Sequence, residues 1–143
     1  MNDLMKFFSL SPKQKFLVIR IFYLLPYFKL KLRFIPFQRI IIKQHLTSQV
    51  DSGLSEKNKL YAFRVAIAIE KVSNVLRWPS ACLEKAVTGK YLLKEENIPS
   101  TLYLGAAIDE QKTFKAHAWL SFDKYVIIGK ANRDQYSEVA KFD

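Results

Sequence analysis

Asn97-Ile98-Pro99 separates two kinds of sequence, and that separation limits the fold more than any other feature of the chain. Upstream, apolar residues recur at three- and four-residue spacing; downstream, short apolar runs are punctuated by turn residues. Helices first and strands afterwards predict an α+β fold, with N-terminal helices and a cysteine-bearing helix packed on a small antiparallel sheet. Ser55 is placed to cap a helix running to about Val75, with Tyr61, Val65, Ala68, Ile69 and Val72 on one face. After a break at Arg77-Trp78-Pro79, a second helix spans about 80–95, with Leu83, Ala86, Val87 and Tyr91 turned inward. Strands are expected over 101–108, 113–122 and 125–128, joined by turns at Asp109-Glu110-Gln111-Lys112 and Asp123-Lys124. Residues 130–143 read as a short helix or a polar tail.

The first third of the chain is different in charge. Residues 1–50 hold nine Lys/Arg against one acid, whereas residues 51–143 hold fourteen against twelve. The sequence therefore divides into a basic, apolar helical segment over 1–50 and a nearly neutral domain over 51–143, with the polar stretch 47–54 around Gly53 as the linker. Ser11-Pro12-Lys13-Gln14 is a helix start, because serine caps, proline suits the first helical position and Gln14 completes the capping box. Pro26 is expected to break that helix. Between Tyr27 and Phe37, Lys29, Lys31 and Arg33 alternate with apolar residues, which leaves strand and helix both open. The apolar run 21–28 is too short for a bilayer span of about 20 residues. Residues 12–43 either pack an apolar side on the domain or form an arm for peripheral contact with an anionic membrane, an acidic peptide or a partner. His45, beside Lys43 and Gln44, reads as a surface histidine.

At 143 residues, half of them hydrophobic, the chain suits one domain with its own core. One cysteine forms no internal disulfide, and one cysteine with two histidines gives no metal spacing. Four scattered glycines make no phosphate loop, and no nucleic-acid-binding motif is present. No cofactor is implied. The absence of a signal-peptide pattern predicts a cytoplasmic protein.

The chemistry-bearing residues are Cys82 and His117. Ser80 as a helix cap would place Cys82 in the first turn, where exposed N–H groups and the helix dipole favour thiolate. His117, on the second expected strand, is the available base for the thiol and acid for a leaving amine. A cysteine opening a helix and a histidine on a later strand is the arrangement of papain-like and transglutaminase-like enzymes. The bland alternative is a small core cysteine and a hydrogen-bonded structural histidine.

Trp78-x-x-x-Cys82-Leu83, Tyr103-Leu104-Gly105, Phe114-x-Ala116-His117-Ala118-Trp119 and Val126-Ile127-Ile128-Gly129 occur in an order that resembles the lasso-peptide leader peptidases, a transglutaminase-like cysteine protease family. Pro36-Phe37-Gln38-Arg39 resembles that family's N-terminal segment. The resemblance implies a cysteine endopeptidase that removes the leader from a ribosomally made precursor, with Cys82 as nucleophile and His117 as general base and acid. It also implies the precursor peptide as substrate, a small leader-binding protein as partner and a separate lasso cyclase acting afterwards. Family members with a full triad carry an aspartate about twelve residues after the histidine, where this chain has Gly129. The third role is open to Asp123, Asp134, a backbone carbonyl or no group at all, with Asp123 the first candidate. Trp78 and Trp119 are candidate substrate-binding residues, or anchors of the turn and the core. Two other functions fit the same residues: transglutaminase-like acyl transfer to an amine, and a degenerate module that binds leader or partner without catalysis.

Overall fold

The computed structural model describes residues 3–42, 55–78 and 82–143. Five helices precede four strands: α1 (Asp3–Phe8), α2 (Pro12–Phe34), α3 (Phe37–Ile42), α4 (Glu56–Val75), α5 (Cys82–Glu95), β1 (Thr101–Ile108), β2 (Phe114–Phe122), β3 (Tyr125–Ile128) and β4 (Ser137–Phe142). The α+β expectation holds, as do the boundaries of α4, β1 and β3. The expected linker 47–54, His45 and Ser80 lie outside the described residues.

Helix α2 opens on the capping box expected of Ser11 and Gln14, the serine hydroxyl accepting from the Gln14 N–H. It does not break at Pro26 but continues to Phe34, so the alternating segment after Tyr27 is helical. Proline inside a helix costs about 3 kcal/mol. Ile21, Leu25 and Phe28, on one face around it, are at most 2% exposed, and burying each contributes about 1.5–3 kcal/mol. Burial outweighs the proline. These three side chains belong to the same cluster as Val65 and Ile69 of α4 and Val87 and Leu92 of α5. Helix α2 thus packs in one core with α4 and α5. At the other end, Phe37 of α3 meets Phe142 of β4 edge to face, 5.2 Å between centroids.

The strands form one antiparallel sheet in the order β3-β2-β1-β4. The fourth strand replaces the helix or tail expected over 130–143. Its residues Ser137, Glu138 and Val139 are exposed, so an edge strand here carries almost no apolar signature. β1 and β2 pair without interruption from Thr101↔Ser121 to Ile108↔Phe114. Side chains alternate between faces, and directly opposed residues share one. Leu102, Leu104, Ala118, Leu120 and Phe122 therefore turn to the helices and join the main cluster. Tyr103, Gly105, His117 and Trp119 lie on the other face. Helix α5 packs closely on the first face: a Cβ placed on Gly89 would stand 2.9 Å from Leu120 Cδ2 and 2.5 Å from Ile128 Cδ1.

Candidate active site

Cys82 is the first residue of α5, half-buried against the edge of the main cluster. Its position in the first turn agrees with the sequence reading and puts its thiol beside N–H groups that have no partner within the helix. Lys90, further along α5, donates to the Ser100 carbonyl just before β1, whereas Gly89 sits over Leu120. Since Thr101 pairs with Ser121, α5 runs in the same sense as β2. Its first turn points toward the His117 end of that strand.

His117 is half-buried on the opposite face, in a small aromatic layer. Tyr103 and Trp119 stack with centroids 5.6 Å apart and planes 8° apart. The Tyr136 ring lies 5.0 Å from the imidazole, and the Arg133 guanidinium 5.4 Å from the Trp119 ring. The layer lies against the sheet because Gly105 has no side chain: a Cβ there would meet the Trp119 ring at 2.5 Å. Trp119 is 2% exposed, so it supports the histidine from within and offers no face to a ligand. Its indole N–H is buried without a hydrogen-bond partner among the described residues. Trp78 is half-buried on the main cluster with Lys29 Nζ 4.2 Å from its ring centre, an anchor between α2 and the approach to Cys82.

The imidazole is held by main chain. Nε2 of His117 lies 2.7 Å from the carbonyl oxygen of Gly129. A carbonyl only accepts, so Nε2 carries the proton, and in the neutral ring Nδ1 keeps a free lone pair. The residue twelve positions after the histidine thus supplies an orienting group through its backbone. Asp123 does not: it occupies the exposed β2–β3 turn with φ +52°, six residues and roughly 20 Å of strand from His117. Asp134 lies in the short 3-10 turn over Arg133–Gln135 and likewise makes no hydrogen bond to the ring. In the sequence, position 129 stands out only as a missing carboxylate; the φ of +77° that aims its carbonyl is a property of the folded turn. Arg133 and Tyr136 carry no sequence signal for a place beside the histidine, and Tyr103 gains its place only through its register with Trp119.

No hydrogen bond joins Cys82 and His117 among the described residues, and they start from opposite faces of β2. That part of β2 has an open side: the ladder to β3 ends at Leu120↔Ile128, leaving the strand unpaired by β3 from Trp119 back to Phe114. Gly129 and His117 border this opening. No group of three or more His, Cys, Asp or Glu able to hold a metal occurs among the described residues.

The model of the transglutaminase-like superfamily matches residues 24–141, well over half of the chain. The chain belongs to that superfamily. The superfamily includes cysteine proteases and acyltransferases, and the match covers α5, all of the sheet but the last residue of β4, and the second half of α2. That α2 is partly inside the match agrees with its place in the common core. No curated protein and no solved structure matches the chain.

Proposed function

We propose that this transglutaminase-like protein is a cysteine endopeptidase, with Cys82 and His117 acting together at the open side of β2. The observation that supports the reading is the 2.7 Å bond from His117 Nε2–H to the Gly129 carbonyl, which holds the ring with a lone pair on Nδ1 available for a base. Nδ1 takes the Cys82 proton; the thiolate adds to the scissile carbonyl; the C–N bond breaks and the amine leaves with that proton. Water then attacks the thioester, giving a carboxylate product and restoring the thiol. N–H groups in the first turn of α5 would stabilise the intermediate oxyanion. Gly129 acts as a positioning residue through its carbonyl, and Trp119 by supporting the ring.

The substrate class rests on the resemblance of the Cys-Leu and Ala-His-Ala-Trp elements to lasso-peptide leader peptidases. The substrate is a ribosomally made precursor, presented by a small leader-binding protein. Incubating the chain with a lasso precursor and leader-binding protein, and reading intact masses, tests this. One cleavage that adds a single water across two fragments, and that disappears in Cys82→Ala and in His117→Ala, is the expected result. A product joined to an added amine would assign acyl transfer instead. Folded protein that binds the leader and leaves the precursor intact would refute catalysis.

A further inference from the structure

The outward face of α2 has a composition that neither the core nor the candidate active site uses. Phe16, Ile19, Tyr23, Tyr27, Leu30 and Phe34 are between 47% and 75% exposed. At 100° per residue they fall within an arc of about 80°, opposite the buried stripe of Ile21, Leu25 and Phe28. One border of the arc carries Lys13, Arg20 and Lys31, the other Lys15, Lys29 and Arg33. Helix α2 contains no acidic residue. The stripe runs for nearly the full length of the helix, roughly 30 Å. Phe8 of α1 extends it, lying 6.0 Å from Lys15 Nζ.

We infer that this face docks on an anionic lipid surface, with α2 lying in the plane of the membrane. An apolar, aromatic centre bordered on both sides by cations suits a helix whose rings enter the acyl boundary while basic heads stay among phosphates. Arg20 is already paired with Glu95, and Lys29 lies over the half-buried Trp78, so Lys13 and Arg33, with Lys15 over the exposed Phe8 ring and Lys31 over the exposed Tyr27 ring, are the cations that meet the headgroups. A second copy is a poorer occupant, since two such helices would bring six cations each into one interface to which neither α2 contributes an acid and beside which Glu95 already pairs with Arg20. No helix among the described residues is long and apolar enough to cross a membrane, so the contact is superficial. The inference stands independently of the proposed peptidase activity.

Co-sedimentation of the full chain with vesicles of phosphatidylglycerol and phosphatidylcholine tests it. Binding is expected at low salt, about tenfold or more weaker on pure phosphatidylcholine and reduced by high salt. The double variant Tyr23→Ser/Leu30→Ser, whose side chains leave the core untouched, is expected to bind about tenfold more weakly with an unchanged far-UV spectrum. Failure to sediment with anionic vesicles would overturn the inference. So would binding indifferent to the double variant and matched by soluble polyglutamate, which would assign the face to acidic chains. A stable dimer that the double variant dissociates would assign it to a second copy.

Discussion

Replacing Gly129 by alanine tests the geometry that holds the imidazole. Gly129 has φ +77°, where a side chain costs about 1–2 kcal/mol. The new Cβ would also stand 2.4 Å from the Ala118 carbonyl oxygen and 3.0 Å from Trp119 Cα. Both are backbone atoms of a paired strand and cannot swing aside, so the turn itself must move, adding about 1–3 kcal/mol of packing strain. The expected loss is about 3 kcal/mol, measured as the shift in urea unfolding of wild type and variant. Gly89→Ala is the matched control. Its Cβ meets only side-chain ends, those of Ile128, Leu120 and Ile69, and alanine gains about 1 kcal/mol of helix propensity, so its net cost is under about 1 kcal/mol. Because the Gly129 carbonyl is what His117 donates to, Gly129→Ala is also expected to slow alkylation of Cys82, and Gly89→Ala is not. A Gly129→Ala protein within about 0.5 kcal/mol of wild type, or less affected than Gly89→Ala, would refute the reasoning.

Other substitutions separate the remaining roles. Asp123→Asn keeps a residue tolerant of positive φ in an exposed turn, so precursor cleavage and stability (within about 0.5 kcal/mol) should be unchanged; lost cleavage would restore Asp123 to the site. Lys90 is 3% exposed, and burial lowers its pKa from 10.5 to about 8, against the opposing pull of Asp143. Below pH 8 it is charged in both states; between about 8 and 10.5 the unfolded chain holds the extra proton, so stability rises with pH. That rise, roughly 3 kcal/mol at most, should be present in wild type and absent from Lys90→Met in urea titrations across the window. Ser11→Ala removes the hydroxyl that caps α2 and should cost about 1 kcal/mol by the same measurement.

The parts of this fold legible in the sequence are those set by local rules. Capping residues fix the starts of α2 and α4, and turn residues bound β1, β2 and β3. The features that escape a sequence reading depend on interactions distant along the chain. Pro26 is a local helix breaker overruled by Ile21, Leu25 and Phe28 packing on α4 and α5. β4 exists because β1 offers an open edge to residues such as Leu104↔Ala140, a pairing no pattern in Ser137–Phe142 announces. Residue type and resemblance pick out Cys82 and His117, which the fold places at the start of α5 and within β2. That they approach from opposite faces is invisible without the strand register. Likewise, a sequence can name a backbone carbonyl as a candidate to orient His117, but every residue carries one, and that it is Gly129's depends on the folded turn.

The central claim is that Cys82 and His117 act as one unit. The most direct measurement is the rate of Cys82 alkylation by iodoacetamide at pH 6, in wild type and in His117→Ala, with folding checked by circular dichroism. Thiolate is the reactive species, so a cysteine without an activating partner reacts slowly at this pH. The account predicts rapid modification of the wild-type protein and a drop of about tenfold or more in His117→Ala. Equal, slow rates in the two folded proteins would show that the thiol and imidazole never meet, and would contradict it.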